Sequence, residues 1–176
     1  MGKNRVRKYL SLLVMVTLLI SCGYHFNEVS SSLAGIQKVY VANFPNKTVE
    51  PYLENYFRNA LIDQFIRGNL FQVVNSEEEA DAVVEGAILH VSTSHVAYEA
   101  ADLGAEERVF LSIRIKFEDR KNGRTIWENR NFADTGDRLI LKDAYTGDRR
   151  EEKKKTLIKL SHDMAERAYR FMISDF

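Results

Sequence analysis

Cys22 is the only cysteine in the chain, and it follows a segment that is first basic and then apolar. Residues 1–8 hold four basic side chains and no acidic one, and residues 10–20 are apolar apart from Ser11 and Thr17. The apolar run is shorter than the roughly 20 residues that cross a bilayer. A basic head followed by a short apolar run predicts a secretory signal peptide over residues 1–21, and a buried core helix is the alternative.

The chemistry of the Cys22 thiol follows from this position. The letters LISC at residues 19–22 resemble the bacterial lipobox, although Ile20 is bulkier than the residue favoured there. The resemblance implies cleavage between Ser21 and Cys22, a diacylglyceryl group on the thiol and an acylated new amine. Several acyl chains hold a domain on a membrane, since each buried CH₂ contributes roughly 0.8 kcal/mol. Gly23, in place of an aspartate, resembles the pattern of outer-membrane lipoproteins.

Other uses of the thiol fit less well. A disulfide within the chain needs a second cysteine, which the sequence lacks. A catalytic thiol needs a neighbouring base, whereas Cys22 would stand at the very end of the processed chain. We therefore predict that Cys22 is the lipid attachment site, within a lipidated N-terminus and tether over residues 22–35.

The remaining reactive side chains form no catalytic pattern. The histidines are isolated, and the sequence contains no HExxH, GxSxG, GxGxxG or phosphate-loop motif. Glu77–Glu79 is more typical of a solvated turn than of a metal site. We expect a protein that is not an enzyme, with no catalytic residue, no metal and no cofactor.

Basic residues cluster in two places. Arg120, Lys121 and Arg124 surround an Asn122-Gly123 pair, and a second group lies further along the chain: Arg138, Lys142, Arg149, Arg150 and Lys153–Lys155. Such side chains bind the phosphate groups of anionic amphiphiles. The alternative is an ordinary hydrophilic turn. Because residues 1–21 carry four of the 25 basic residues and none of the 25 acidic ones, the rest has a net charge of about −4. This balance argues against nucleic acid as a partner.

The hydrophobic pattern predicts one α+β domain over residues 36–176. Apolar residues alternate over residues 109–117, which indicates a strand with one buried face, and Asn122-Gly123 predicts a hairpin. Trp127 and Ile126 are neighbours in the returning strand, so one of them is expected on the open face, as a partner surface. The predicted elements are strands at 37–44, 70–74, 82–98 (with a bulge at Gly86), 109–117 and 125–133, an irregular segment at 134–152, and helices at 52–67 and 150–173. We expect two helices packed on one face of a mixed, mostly antiparallel sheet of four to five strands.

Several short motifs, in this order, resemble the LptE family of LPS-assembly lipoproteins. They are CGYHF after the lipobox, LAGIQKVYVANFPNKTVEPYLE, LIDQFIRGN and EADAVVEGAI. The resemblance implies a non-catalytic lipoprotein on the periplasmic face of the outer membrane. It also implies a one-to-one complex in which the domain plugs the LptD β-barrel and assists assembly of lipopolysaccharide, which the plug also contacts. Our own candidates for that contact are Arg120, Lys121 and Arg124.

A second resemblance leaves an alternative open. The strand–helix–strand segment from VYVANF to EADAVVEGAI is also similar to CsgG-like secretion-channel lipoproteins and to lipoprotein activators of peptidoglycan synthases. These two classes have different partners, either copies of the same chain in a pore or a murein synthase.

Overall fold

The structure, a computed structural model, describes residues 33–98, 105–140 and 146–174. The elements follow one another as β1 (Lys38–Val41), α1 (Leu53–Gly68), β2 (Gln72–Val74), a 3₁₀ turn (Glu77–Glu79), β3 (Ala82–Tyr98), β4 (Ala105–Asp119), β5 (Arg124–Ile140) and α2 (Thr146–Ile173). Neither helix of this described part is long and apolar enough to cross a membrane.

The five strands form one sheet in the order β2-β1-β3-β4-β5. Strand β1 pairs in parallel with both β2 and β3, and the long strands β3, β4 and β5 pair antiparallel. The predicted α+β class is therefore confirmed. The sheet is mixed rather than mostly antiparallel, because β1 is the first strand of a strand–helix–strand crossover on one side and the neighbour of β3 on the other.

Both helices cover the same face of this sheet. Phe65 of α1 lies edge-on to Phe117 of β4 with 6.1 Å between ring centroids, and Phe171 of α2 stacks on Trp127 of β5 at 6.1 Å. Phe117 and Trp127 are paired across the two strands and so point to the same side. The alternating apolar residues of β4, from Val109 to Phe117, are buried beneath the helices, as the sequence pattern predicts.

The structure corrects the prediction of a bulge at Gly86. Gly86 pairs regularly with Ile115, and the register of β3 shifts instead between Ile88 and His90. The absence of a side chain at residue 86 serves packing, because a Cβ there would collide with the backbone oxygen of Arg114 and with the ring of Phe44. The glycine thus lets Phe44 lie directly on the sheet.

Two boundaries near the C-terminal half also differ from the prediction. Strand β5 runs to Ile140 rather than ending at residue 133, and α2 begins at Thr146 rather than residue 150. The residues predicted to be irregular are therefore strand and helix, except 141–145, which lie outside the described residues. Gly136 pairs with Val109 and lies beneath Leu160, so helix packing accounts for a strand in a segment with few strand-forming residues.

The expected open-face position of Ile126 or Trp127 is wrong. The pairing of β4 with β5 steps from Phe117–Trp127 to Glu118–Thr125, so Ile126 is an extra residue in a bulge. Both Ile126 and Trp127 are partly buried against the hydrophobic core. The bulge therefore removes the alternation on which the prediction depended.

Candidate functional site

The predicted lipid attachment site and cleavage bond, at Ser21 and Cys22, lie outside the described residues and stay predictions. Within residues 33–98, 105–140 and 146–174, no group of three or more His, Cys, Asp or Glu side chains could hold a metal ion. The polar clusters formed by these described residues include a basic turn and an anchored loop.

The basic turn consists of Arg120, Lys121 and Arg124, and it connects β4 to β5. The predicted hairpin is present, and Gly123 has φ +61, a left-handed conformation that glycine adopts without strain. All three basic residues are exposed. The structure therefore places the three candidate contacts for lipopolysaccharide together at one end of the sheet.

Acidic residues lie close to the basic turn, and the sequence alone did not reveal these neighbours. The ammonium of Lys121 lies 2.7 Å from Oδ1 of Asp81. Arg120 donates from Nη1 to the backbone oxygen of Glu78 at 3.3 Å, and its Nε lies 3.7 Å from Oε1 of Glu77. Asp81 precedes β3, whose first residue pairs with Asp119 of β4, and Glu77 and Glu78 lie in the 3₁₀ turn just before it. The basic turn is therefore fixed to the start of the neighbouring strand, at the same end of the sheet.

Asp81 is the centre of this arrangement. Its Oδ2 accepts the backbone N–H groups of Gln37 and Lys38, each at 3.0 Å. The hydrogen bond from Lys121 and these two N–H groups lower the pKa of Asp81 to about 2. Conversely, the Asp81 carboxylate raises the pKa of Lys121. The Asp81 carboxylate and the Lys121 ammonium are therefore both charged at neutral pH, and the two opposite charges lie side by side.

Of the second basic group of the sequence, Arg149, Arg150 and Lys153–Lys155 lie on the first turns of α2. Lys153 forms an ion pair with Glu50, in which both side chains are half-buried. Lys155 pairs with Glu152 at 2.7 Å within the helix. Arg149 and Arg150 are exposed on the same helix, whereas Lys142 and the side chain of Arg138 lie outside what the structure describes. The Glu50–Lys153 pair connects α2 to the loop that precedes α1.

This loop, residues 45–52, is here called the anchored loop because its own side chains hold it. Nδ2 of Asn46 donates to the backbone oxygen of Glu50 at 2.7 Å and to Oε2 of Glu54 at 2.8 Å. Oδ1 of Asn46 accepts from the backbone N–H and the hydroxyl of Thr48. Backbone bonds from Ile88 to Pro45 and from Lys47 to Ile88 fasten the loop to β3.

The tip of the anchored loop is apolar and exposed. Val49 is 94% exposed and Tyr52 is 63% exposed, and Pro51 lies between them. Tyr52 caps α1 with φ +65, a conformation that costs energy for a residue with a Cβ. A groove of about 560 Å³ runs beside the tip, and charged residues of both signs line it together with Tyr52, Tyr56 and Leu157: Arg150, Lys153, Lys154, Glu50 and Glu151. The sequence indicated the basic residues but not the loop, because the contacts of Asn46 are not visible in a hydrophobic pattern.

These features define a two-layer α+β domain whose surface loops are held by ion pairs and side-chain hydrogen bonds. A model of the lipopolysaccharide-assembly family LptE matches residues 36–172. The chain belongs to this family. The family resemblance seen in the sequence is therefore confirmed, and with it a role as a lipoprotein of lipopolysaccharide assembly and outer-membrane biogenesis.

Comparison with solved structures finds similar chains at low sequence identity. The hypothetical protein CT253 from Chlamydia trachomatis is 10% identical with a TM-score of 0.51, and the match covers 79% of this chain and 99% of that one. A minor lipoprotein from Acinetobacter baumannii is 12% identical with a TM-score of 0.49, covering 77% and 92%. The rare lipoprotein B from Shewanella oneidensis is 15% identical with a TM-score of 0.45, covering 77% and 93%. A search of curated protein sequences finds no match.

Proposed function

We propose that this protein is a lipid-anchored component of the outer membrane that plugs and supports the LptD β-barrel. In this role it forms a one-to-one complex with the barrel on the periplasmic face and assists assembly of lipopolysaccharide without catalysing a reaction. The match of residues 36–172 to the LptE family is the observation that carries the proposal. Cys22, acylated after cleavage at Ser21, supplies the anchor.

The open face of the sheet supports a position inside a barrel. Alternate residues of β4 point away from the helices; toward the basic turn they are the charged residues Arg114, Lys116 and Glu118, and they are preceded by Phe110 and Ser112. Lys116 forms ion pairs with Glu118 and, at 4.0 Å, with Glu85 of β3. The interior of outer-membrane barrels is polar, in contrast to their lipid-facing wall. A charged sheet face is therefore compatible with a polar lumen and not with a lipid surface.

The basic turn is our candidate for direct contact with lipopolysaccharide. A lysine ammonium has three donors and an arginine guanidinium has five, and the bonds of Lys121 and Arg120 to the carboxylate side use only part of them. Phosphate groups can therefore bind to Arg120, Lys121 and Arg124 while the turn stays attached to Asp81. The proposal concerns phosphate recognition, for which charge-assisted hydrogen bonds are the strongest available interaction.

Co-purification tests the main proposal. The full chain, tagged at its C-terminus, is isolated from detergent-solubilised outer membranes and its partners are identified by mass spectrometry. We expect an equimolar β-barrel of LptD type and an acylated Cys22. In the Cys22→Ser variant we expect the acyl mass to be absent and the amount in the outer membrane to fall. Recovery as a free monomer would contradict the plug, and recovery of a murein synthase or a ring of identical chains would favour the alternative families.

A charge-matched comparison tests the lipopolysaccharide contact. The triple variant Arg120→Ala, Lys121→Ala, Arg124→Ala is compared with Arg130→Ala, Lys159→Ala, Arg170→Ala, which removes the same residue types from other exposed positions. We expect at least tenfold weaker binding of purified lipopolysaccharide by the first variant and less than twofold by the second. Equal losses would show that net charge, and not the basic turn, determines binding.

A further inference from the structure

The N-terminal residues of the domain enter it at one end of the sheet. Leu33 and Ile36 are buried there, and the backbone N–H of Gln37 donates to the Asp81 carboxylate. Strands β1, β2 and β3 start at this end, and β4 ends there. We call this region the tether end, and it consists of residues 33–38, 66–72, 77–82, 119–124 and 169–173.

Exposed apolar side chains lie at the tether end. Ile66 in the last turn of α1 is 58% exposed, Leu70 just before β2 is 48% exposed, and Phe171 in the last turn of α2 is exposed as well. The last turns of the two helices are neighbours, because a Cβ on Gly68 would collide with the Tyr169 hydroxyl. Single exposed apolar residues are common on protein surfaces. Their position relative to the point where the chain enters the domain therefore decides what they indicate.

The length of the chain before the domain limits the distance between the tether end and an anchored Cys22. Ten residues, 23–32, separate Cys22 from the buried Leu33. A fully extended chain of this length spans at most roughly 35 Å. Strand β4 has 15 residues, so its other end lies roughly 45–50 Å from the tether end. A bilayer that holds acyl chains on Cys22 can therefore meet the tether end, whereas the far end of the long strands cannot be the only part that rests on it.

The sides of the domain suit a lipid surface less well than the tether end does. The open sheet face carries Arg114 and Lys116, and the outer face of α2 carries exposed charged residues such as Glu166. Charged groups lose their hydration when they enter an apolar layer, which is costly. At the tether end, the exposed Arg67 lies next to Ile66. A long arginine side chain can keep its guanidinium at headgroup phosphates while its apolar neighbour enters the layer below.

We propose that the tether end rests on the phospholipid headgroup layer of the membrane that holds Cys22, before the chain joins its barrel. Ile66 and Leu70 enter the boundary between headgroups and acyl chains, where apolar side chains of peripheral proteins are buried. Exposed charges of both signs lie at this end, so the contact is apolar and does not depend on anionic lipid: Arg67, Arg120, Lys121 and Glu77–Glu79. The inference rests on the lipid anchor of the proposed function and names the surface that the anchored domain turns toward the membrane.

Fluorescence quenching in vesicles tests the contact directly. The full acylated chain, produced without the barrel, is reconstituted in vesicles of phosphatidylethanolamine and phosphatidylglycerol that contain a brominated phosphatidylcholine as quencher. Because Cys22 is the only native cysteine and is blocked by acylation, Leu70→Cys or the control Val49→Cys supplies a single thiol for a fluorescent dye. These positions lie at opposite ends of α1, whose 16 residues span roughly 24 Å. We expect at least threefold stronger quenching at Leu70, and equal quenching, or none at either position, would overturn the inference.

Paired aspartate substitutions identify the side chains that make the contact. The dye is placed on Gln72→Cys, an exposed position at the tether end. We expect Ile66→Asp with Leu70→Asp to lower its quenching at least threefold, because a carboxylate does not enter the apolar layer. Val49→Asp with Tyr52→Asp, two exposed positions at the other end of α1, is expected to change the quenching less than 1.5-fold. Thermal melting checks that both variants stay folded, and if one does not, the comparison of the two dye positions in the otherwise native chain still decides.

The outcomes separate the two proposals. If the dye labels Cys22 of the wild-type chain, the thiol is not acylated, so the anchor of the proposed function is wrong and the inference falls with it. If Cys22 is blocked but Leu70 is quenched no more than Val49, the orientation is wrong and the anchor stands. Equal losses for the two aspartate pairs also overturn the orientation, since no particular end of the domain is then involved. Quenching that persists in high salt supports an apolar contact, whereas its loss would show that charge holds the domain on the membrane.

Discussion

Asp81→Asn is the substitution that most directly tests how the basic turn is held. The Asp81 carboxylate accepts two backbone N–H groups and one ammonium, and its pKa of about 2 lies below the ordinary value of 3.8. A difference of this size corresponds to at most roughly 2.5 kcal/mol of stability. Because Lys121 is 67% exposed, solvent screening reduces the expected value to about 1 kcal/mol. The asparagine keeps the size and one acceptor oxygen but loses the charge.

The pH dependence gives the sharper test. A carboxylate whose folded pKa is lowered stabilises the protein above its unfolded pKa, and this contribution is lost as the pH falls through the folded pKa. Wild type should therefore be more stable than Asp81→Asn by a constant amount above about pH 5, and the two should converge between about pH 4.5 and pH 2. Urea unfolding at several pH values measures this, with Glu79→Gln as an exposed control. A difference that is the same at pH 3 and pH 7 would refute the charge argument.

Three further substitutions have expected outcomes. Tyr169→Phe should leave stability unchanged or raise it by up to about 1 kcal/mol in urea unfolding, because the buried Tyr169 hydroxyl has no hydrogen-bond partner among the described residues; a loss of stability would show a missed partner. Gly86→Ala should cost about 2 kcal/mol or more, since the new methyl group collides with Phe44 and the Arg114 backbone, and an unchanged melting temperature would contradict this packing. Asn46→Ala should cost about 1–2 kcal/mol by removing four hydrogen bonds of the anchored loop, with faster proteolysis between residues 45 and 52 as the specific readout.

The sequence predicted those elements whose patterns are local. Helix α1 was expected at residues 52–67 and is found at Leu53–Gly68, where Asn69 ends it in a left-handed conformation. The hairpin at Asn122-Gly123 and the buried face of β4 were likewise visible, since a turn type and an alternation of two depend only on neighbouring residues. These are the features in which intrinsic preference and tertiary packing agree.

The parts that the sequence did not reveal depend on contacts between distant residues. Strand β5 continues past residue 133 because β4 supplies its hydrogen bonds and Leu160 of α2 covers Gly136, although Asp134, Gly136 and Asp137 disfavour a strand. The bulge that turns Ile126 toward the core is a one-residue change of register, which no alternation predicts. For the same reason the basic turn could be predicted from three nearby residues, whereas its carboxylate partners, some 40 positions earlier in the chain, could not.

In our proposal that the domain is a plug, its open sheet face and its basic turn have different tasks. A charged sheet face fits a polar lumen but contributes little affinity, because surface ion pairs such as those of Lys116 are worth at most about 1 kcal/mol each. Orientation in the lumen then has to come from a small number of buried contacts, as in other interfaces where a few residues carry most of the binding energy. The basic turn, which is exposed and held by Asp81, stays accessible for phosphate groups in our proposal.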